Sequence, residues 1–247
     1  FMVKRRKPMQ SYTIHLIRHG ATKGNQLGQY IGSTDLPLAP EGAKQLRELS
    51  QGGGYPTAQA YYCSPLLRCR ETMSILYPDA EPVVVEGLRE CDFGAWEGKT
   101  AKELMEEDPS FAKWMESGAQ ATPPGGESGA VFMHRVCEAF EKLVEDMLRS
   151  RTTSAVIVTH GGVIMTILSA YGLPKAGFYD WLTGNGCGYS LRITPGLWMR
   201  SMVAEVYATL PAGEKTEGEQ NERLVIDLAR EAADRAYGKK EDAEKGE

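Results

Sequence analysis

The sequence predicts an α/β domain with a largely parallel sheet, and three observations support that prediction. Short apolar runs rich in β-branched residues alternate with stretches of helical periodicity, which is typical of strands connected by covering helices. Two of the runs, residues 13–17 and 155–159, are each followed closely by a His-Gly pair. The chain has 247 residues and is 42% hydrophobic, enough to bury the core of one domain, with or without a lid.

The first half of the chain alternates between these two patterns. After the first strand, a glycine-containing loop leads to Pro40, which is favourable in the first turn of a helix, and that helix ends at the Gly52-Gly53-Gly54 run. A Ser64-Pro65 pair opens the next helix and places Arg68 in its first turn. The predicted elements are a strand at 13–17, a helix from 40 to 51, a strand at 60–63, a helix from 64 to 77 and a strand at 82–85.

The second half continues the alternation with longer helices. Residues 122–126, Thr-Pro-Pro-Gly-Gly, form a rigid break, after which Ser128 is a suitable N-cap for a long amphipathic helix. The predicted elements are a helix at 100–116, the amphipathic helix at 129–148, a strand at 155–159, an apolar helix at 163–171 and strands at 189–193 and 203–207.

The two ends of the chain differ from this domain, which spans residues 11–210. Residues 1–10 are basic and lead into no apolar segment of signal-peptide type, so they predict a disordered arm. From Pro211 onward there are seven Lys/Arg and eleven Asp/Glu, with one helical stretch at 224–237. Residues 211–247 therefore predict an acidic tail that is partly helical or disordered.

Charge and cysteine content narrow the functional classes. A net charge of −5 argues against general nucleic-acid binding, so any attraction for anions must be local. The five cysteines form an odd set without a Cys-x-x-Cys pair, which predicts neither a disulfide framework nor a zinc site and fits the cytoplasm. No apolar run is long enough to cross a membrane. We expect no cofactor and no metal.

The residues at the strand ends indicate phosphoryl chemistry. Arg18 and His19 follow the first strand, and Gly20 permits a tight turn that would project both side chains into a crevice. A guanidinium can hold phosphoryl oxygens while a neutral imidazole nitrogen attacks the phosphorus. His160 ends the second such strand, Arg68 lies near a helix N-terminus, and an acidic loop with Glu90 follows the third strand. Such a set could transfer a phosphoryl group without a metal.

Five motifs in this order resemble the histidine phosphatase superfamily, and more closely its phosphoglycerate-mutase-like branch. The resemblance runs from about Tyr12 to Tyr207. The motifs are Arg18-His19-Gly20-x-Thr22-x-x-Asn25, Cys63-Ser64-Pro65-Leu66-x-Arg68-x-x-x-Thr72, Glu90-x-x-x-Gly94-x-Trp96-Glu97-Gly98, Gly126-Glu127-Ser128 and Thr159-His160-Gly161.

The resemblance implies a fold and a role for each matched residue. The fold would be a three-layer α/β/α sandwich with a small helical lid at about residues 95–130. His19 would be the nucleophile that becomes phosphohistidine, and Glu90 would protonate the leaving group and later activate water. The remaining residues would bind the phosphoryl group, and they are Arg18, Asn25, Arg68, His160 and Gly161.

The motifs indicate the family more clearly than they indicate which reaction this protein catalyses. The family's mutases carry a longer, arginine-containing insertion between the acid and the second histidine, whereas no arginine lies between Glu90 and Arg135 here. We therefore predict a phosphomonoester hydrolase acting on a small phosphorylated metabolite. Residues 107–114 and 186–188 are similar to alpha-ribazole phosphatases and related broad-specificity phosphatases, which suggests alpha-ribazole 5'-phosphate. The alternatives are a phosphoglycerate mutase and a non-catalytic protein that binds a phospho-ligand; a homodimer is possible.

Several other residues have simpler interpretations. His15 alternates with apolar neighbours and predicts packing on a sheet face, and His134 predicts a surface position on the long helix. Cys63 is not a cysteine-phosphatase nucleophile, because that signature needs five residues between the cysteine and its arginine. Glu97 is expected to fix the loop that carries Glu90, and Asp92 is a rival to Glu90 as the acid.

Overall fold

The computed structural model describes residues 10–117 and 122–212. The predictions for the basic arm, for residues 118–121 of the lid and for nearly all of the acidic tail lie outside these residues. The strands are β1 Tyr12–Arg18, β2 Ala60–Cys63, β3 Val83–Val84, β4 Ser154–Thr159, β5 Gly172–Leu173, β6 Gly188–Ile193 and β7 Ala204–Leu210. The α-helices are α1 Lys23–Gln26, α2 Pro40–Gln51, α3 Leu67–Leu76, α4 Ala101–Glu107, α5 Pro109–Glu116, α6 Gly129–Ser150, α7 Gly161–Tyr171 and α8 Pro195–Ser201.

The strands form one seven-stranded sheet in the order β3-β2-β4-β1-β6-β7-β5. β1 pairs in parallel with β4, in a register that puts Arg18 opposite Thr159, and antiparallel with β6. The pairs β2–β4, β2–β3 and β5–β7 are also parallel, and β6–β7 is antiparallel. The prediction of a mostly parallel sheet is confirmed, and the carboxyl ends of β1 and β4 lie side by side at its centre.

Side chains of the central strands alternate between two apolar clusters, one on each face of the sheet. In β1, Leu16 belongs to the cluster that includes α6 and α7, whereas Ile17 belongs to the cluster that includes α2 and α3. In β4, Ile157 and Val158 divide in the same way. Helices therefore cover both faces, as the three-layer prediction requires, because a strand directs successive side chains to opposite sides.

Some elements differ from the sequence prediction. The helix expected at 100–116 is divided into α4 and α5 because Pro109 has no amide hydrogen and starts a new helix, whose N-cap Asp108 accepts from the Ser110 amide at 2.9 Å. The third strand has only two residues, both exposed at the sheet edge. The short helices α1 and α8 were not predicted, since four and seven residues carry too little periodic signal.

The lid region contains a small apolar cluster of its own. Trp96 and Phe111 are almost fully buried there, and their rings meet edge to face at 5.2 Å. The cluster consists of Trp96, Leu104, Phe111 and Trp114, with Tyr30 from the loop after β1 packed against it. Within the described residues, no helix has the length and apolar content needed to span a membrane.

Candidate active site

Arg18 and His19 are held in place by the backbone at the end of β1. The His19 amide donates to the Thr159 carbonyl of β4 at 2.9 Å, and the Gly186 amide donates to the Arg18 carbonyl at 3.0 Å. Gly20 is required here by close packing against α2, since a Cβ would lie 2.5 Å from Leu46 Cδ1. Backbone hydrogen bonds thus fix the positions of both residues independently of their side-chain contacts.

The His19 ring is presented as a neutral nucleophile. Its Nδ1 lies 2.7 Å from the Gly20 carbonyl oxygen, which can only accept, so Nδ1 carries the hydrogen and Nε2 keeps a lone pair. Burial holds the pKa of His19 well below its usual value, and the nearby guanidinium groups of Arg68 and Arg18 lower it further. The ring therefore stays uncharged well into the acidic range.

His160 faces His19 from the end of β4. The two ring centroids are 5.2 Å apart with an interplanar angle of 65°. His160 Nε2 shares a hydrogen bond with Ser64 Oγ at 2.7 Å and lies 3.5 Å from Cys69 Sγ. Burial, followed by the charge of Arg68, holds the pKa of His160 well below its usual value. The second imidazole is therefore also neutral, and Ser64, which follows β2, and Cys69 of α3 fix its orientation.

The two guanidinium groups are anchored by main-chain carbonyls. Arg68, in the first turn of α3, is 1% exposed and donates to the Gly32 carbonyl at 2.8 Å and to the Thr34 carbonyl at 2.9 Å. Arg18 is half-buried and donates to the Thr183 carbonyl at 2.5 Å. These bonds to neutral carbonyls orient the guanidinium groups without neutralising their charge.

Glu90 approaches the first turn of α7. Its Oε1 accepts from the Cys91 amide and its Oε2 from the Gly162 amide, each at 2.9 Å. A Cβ on Gly162 would lie 2.4 Å from Glu90 Oε1, so only glycine permits this approach. Burial raises the pKa of Glu90, although the two amide bonds and the charges of Arg68 and Arg18 oppose that shift.

The backbone that leads into Glu90 is clamped by Arg135 of α6. Arg135 donates to the Gly87 carbonyl at 3.0 Å and to the Arg89 carbonyl at 2.9 Å, and its side chain forms a two-point pair with Glu127 at 2.9 and 2.6 Å. Glu127 belongs to the Gly126-Glu127-Ser128 motif. This clamp assigns that motif a structural task that the sequence did not reveal.

Asn25 and Gly161, both predicted to bind the phosphoryl group, make different contacts in the structure. Asn25 Oδ1 accepts from the Thr22 amide at 3.0 Å and from its hydroxyl at 2.9 Å, closing a capping box on α1, so only its amide hydrogens remain for a ligand. Gly161 packs against Arg18, since a Cβ there would lie 3.3 Å from Arg18 Nε.

The residues given simpler interpretations behave as predicted. His15 is buried on the sheet and shares a 2.8 Å hydrogen bond with Ser190, whereas the His134 side chain is 81% exposed. Burial raises the pKa of the Cys63 thiol to about 12, which makes it a poor nucleophile. Asp92 accepts from Ser33 Oγ of the connection between β1 and α2 and from the Gly94 amide of its own loop, each at 2.9 Å.

Sequence reasoning gave no role to several residues that hold the site together. Thr72 accepts from the Gly20 amide at 2.9 Å and donates to the Arg68 carbonyl at 2.7 Å, which links the loop after β1 to α3. Ser64, Cys69 and Gly162 contact His160 or Glu90 as described above. Their local sequence predicts no such contacts. Only their position within or next to the matched motifs could have pointed to them.

The assembled groups suit a phosphoryl anion. Two cations, two neutral imidazoles and one carboxyl group of raised pKa converge at the carboxyl ends of β1 and β4, where open α/β sheets bind ligands. Across residues 10–117 and 122–212, no three His, Cys, Asp or Glu side chains are grouped so as to hold a metal ion. The fold and these groups define a phosphate-handling α/β enzyme.

The chain belongs to the histidine phosphatase superfamily, branch 1, whose family model matches residues 14–204. It is 29% identical over 182 residues to the adenosylcobalamin/alpha-ribazole phosphatase of Escherichia coli strain K12, covering 72% of this chain and 88% of that protein. It is also 30% identical over 148 residues to phosphoserine phosphatase 1 of Hydrogenobacter thermophilus, covering 59% of this chain and 69% of that protein.

Solved structures agree with this family assignment. The alpha-ribazole phosphatase from Shigella flexneri superposes with a TM-score of 0.67 at 27% identity, covering 79% of this chain and 95% of that one. A phosphoglycerate mutase from Thermus thermophilus superposes with a TM-score of 0.58 at 31% identity, covering 80% of this chain and 98% of that one. The predicted superfamily and phosphoglycerate-mutase-like fold are confirmed.

Proposed function

We propose that this protein hydrolyses phosphate monoesters through a phosphohistidine formed on His19, without a metal ion. The observation that carries the proposal is the state of His19. Its Nδ1 is committed to the Gly20 carbonyl, its pKa is lowered, and the two arginines that lower it supply the positive charge that a phosphoryl group needs. A neutral imidazole between two cations is arranged to attack an anion.

In the first half-reaction, His19 Nε2 attacks phosphorus and the P–O bond to the alcohol breaks. Arg18 and Arg68 neutralise the three phosphoryl oxygens, and His160 and the Asn25 amide donate further hydrogen bonds. Glu90, whose raised pKa favours its acid form, gives its proton to the departing oxygen. The alcohol leaves, and His19 carries the phosphoryl group.

In the second half-reaction, the Glu90 carboxylate takes a proton from water as that water attacks the phosphohistidine. The N–P bond breaks, inorganic phosphate leaves, and Glu90 is again an acid. One residue can serve both steps because the leaving oxygen and the attacking water occupy the same side of the phosphorus. The Cys91 and Gly162 amides keep the carboxyl group on that side.

Hydrolysis is favoured over mutase chemistry by the segment between Glu90 and Arg135. A mutase must hold a carboxylate-bearing phosphoglycerate until the phosphoryl group returns, and that segment contains no arginine to bind the substrate carboxylate. With 3-phosphoglycerate and a bisphosphoglycerate primer, we expect little 2-phosphoglycerate. Interconversion as fast as the hydrolysis of the best ester would favour the mutase.

We propose alpha-ribazole 5'-phosphate as the substrate to test first. Support comes from the two alpha-ribazole phosphatases, each of which is matched over most of its length, and from the similarity of residues 107–114 to that subgroup. The phosphoserine phosphatase match makes phosphoserine the main competitor. A comparison of kcat/KM for both esters, with 3-phosphoglycerate as a third, decides among them.

The phosphohistidine proposal is tested by trapping the intermediate. Purified protein is mixed with a ³²P-labelled ester, denatured under alkaline conditions that preserve phosphohistidine, and analysed for bound label. We expect label in the parent protein, none in His19→Ala, a fall in kcat of at least about 10⁴-fold in that variant, and full parental activity in EDTA. Activity abolished by EDTA and restored by Mg²⁺ would overturn the metal-independent mechanism.

The proposed compartment is the cytoplasm, supported by five cysteines that form no disulfide in the described part of the chain. Homodimerisation remains a proposal, and light scattering on the eluting protein would measure its mass directly.

A further inference from the structure

We infer that Glu97 is a positioning residue for Arg68, acting through the backbone of residues 32–34. This inference rests on the proposed role of Arg68 as a phosphoryl ligand. Residues 32–34, called the relay loop below, lie in the connection between β1 and α2 and separate the two side chains. Glu97 follows the aromatic residue Trp96 in the lid and was expected only to fix the Glu90 loop.

The Glu97 carboxylate is surrounded by donors from the relay loop. It accepts from the Gly32 amide at 3.0 Å, the Ser33 amide at 3.0 Å and the Thr34 amide at 3.3 Å. The Thr34 hydroxyl adds a further bond at 2.7 Å. Three successive amides that converge on one carboxylate form an anion-binding concavity in the backbone.

The opposite side of the same loop faces Arg68. The Gly32 and Thr34 carbonyls accept the two terminal nitrogens of the Arg68 guanidinium at 2.8 and 2.9 Å. The amides of residues 32–34 therefore face an anion, while the carbonyls of Gly32 and Thr34 face a cation. Fixing the loop by Glu97 fixes both atoms that orient the guanidinium, which is buried and has little else to correct an error in its position.

Glu97 is itself held rigidly. Its neighbour Trp96 is 1% exposed in the lid cluster, and the Trp96 indole donates to Asp108 at 2.8 Å. The lid is thus linked to the phosphoryl site by Trp96, Glu97, the relay loop and Arg68 in turn. The physical consequence is that the charge and shape of Glu97, rather than its mere bulk, set the position of Arg68.

The test is Glu97→Gln, which keeps the shape but replaces one acceptor oxygen with a donor facing amide hydrogens. We expect kcat/KM to fall roughly ten- to a hundredfold, since small misplacements of a binding group cost that much. The inhibition constant for inorganic phosphate should rise as well. The matched control is Glu103→Gln in the same lid, where the carboxylate only caps α4 at Thr100, and we expect no change there.

A double-mutant cycle separates positioning from general damage. The lysine of Arg68→Lys has no planar fork and cannot bind both relay-loop carbonyls. When Glu97→Gln is added to Arg68→Lys, kcat/KM should therefore fall by less than about threefold further. Additive losses would overturn the inference while leaving the proposed function intact. Full activity in Arg68→Lys would instead overturn the proposed role of Arg68, and the relay with it.

Glu97 also accepts from the Phe93 amide at 3.0 Å, so a loss could pass through Glu90 instead. A defect in the acid slows esters of alkyl alcohols more than activated aryl esters, whereas a misplaced Arg68 slows both equally. We expect equal losses, and a selective loss on alkyl esters would contradict the relay. If Glu97→Gln does not fold, Thr34→Val, which removes only the hydroxyl bond, must show the same pattern at smaller amplitude.

Discussion

The two halves of the active site are positioned by different means. Arg18, His19 and His160 directly follow or end paired strands, and ladder-like bonds such as His19 amide to Thr159 carbonyl set their places. We call these residues the strand-end half. Arg68 and Glu90, which we call the loop half, depend on main-chain groups outside the sheet. Arg68 binds carbonyls of the connection between β1 and α2, and Glu90 accepts from the Cys91 amide and from the Gly162 amide in the first turn of α7.

Because the two halves are held differently, substitutions in them should affect stability and activity differently. The strand-end half is held by the same sheet hydrogen bonds and apolar layers that hold the fold, so it cannot be displaced without loss of stability. The loop half is held by a few side-chain contacts at the surface of those layers. We therefore expect substitutions around the loop half to lower activity with little effect on the free energy of unfolding, and the reverse for substitutions within the sheet.

Among the substitutions that compare the two halves, the largest effect is expected for Glu90→Gln. This variant keeps the carbonyl oxygen but cannot donate a proton, so hydrolysis of alkyl phosphates should slow by about 10²- to 10⁴-fold. p-Nitrophenyl phosphate should slow far less if phosphorylation of His19 limits both, because p-nitrophenolate is a weak base. If dephosphorylation limits them, both should fall alike, since Glu90 is then lost as the base.

Pre-steady-state kinetics separates these half-reactions, and melting temperature reports stability. Asp92→Asn is the matched control and should be mild, since the amide oxygen of asparagine can still accept from Ser33 Oγ and from the Gly94 amide. A large loss in Asp92→Asn beside a negligible one in Glu90→Gln would move the acid to Asp92.

A smaller loss of activity is expected for Gly162→Ala. Gly162 lies two residues after His160 of the strand-end half and contacts Glu90 of the loop half. The added methyl would lie 2.4 Å from Glu90 Oε1 and must displace that carboxyl group, so we expect roughly a ten- to a hundredfold fall in kcat/KM. Gly161→Ala, at 3.3 Å from Arg18 Nε, should cost less. Gly196→Ala on α8 meets nothing within 4 Å and is the control. Equal activities across the series would show that Glu90 needs no fixed position.

The pH profile of kcat/KM distinguishes the two halves, because His19 should set its acidic limb and Glu90 its alkaline limb. The lowered pKa of His19 keeps its ring neutral in mild acid, so the acidic limb should lie well below the usual histidine range. The raised pKa of Glu90 keeps its proton available, so the alkaline limb should lie above the usual carboxyl range. Each limb should change about tenfold per pH unit. Glu90→Gln should remove the alkaline limb only; a limb that stays would belong to another group.

The smallest effect on activity is expected for Ser190→Ala. This change removes the 2.8 Å bond to His15 between β1 and β6 and leaves a buried imidazole nitrogen unsatisfied. We expect the free energy of unfolding to fall by about 1–3 kcal/mol, measured by urea denaturation, with kcat/KM unchanged. A comparable loss of activity would show that the sheet and the site are not separable in this way.

Much of the fold could be predicted because its signals are local. The apolar runs of β1 and β4 and the helical period of α6 predict their elements without reference to the rest of the chain. The exceptions follow from context: α4 and α5 separate at Pro109, and β3 retains only two paired residues at the sheet edge. Helices as short as α1 depend on a capping box rather than on periodicity.

The candidate site could be predicted for a related reason. Strands ending in His-Gly bring Arg18, His19 and His160 together wherever those strands are neighbours, and the motif order added Arg68 and Glu90 through a family resemblance. The contacts that orient these groups could not be predicted from local pattern. Glu97 was expected beside the Glu90 loop, and it does reach the Phe93 amide, yet most of its bonds go to the relay loop.

The sequence by itself determined the alternation of strands and helices and the chemical groups that follow the central strands, because propensity, periodicity and glycine placement act over a few residues. Only the tertiary structure decided which acid reaches α7, which tautomer His19 adopts and what holds Arg68. The contact of Glu90 with Gly162 joins residues 72 positions apart, and the contacts of Arg68 with Gly32 and Thr34 join residues 36 and 34 positions apart. Their geometry depends on loop paths set by the packing of the whole domain, for which no short stretch of sequence carries a signal.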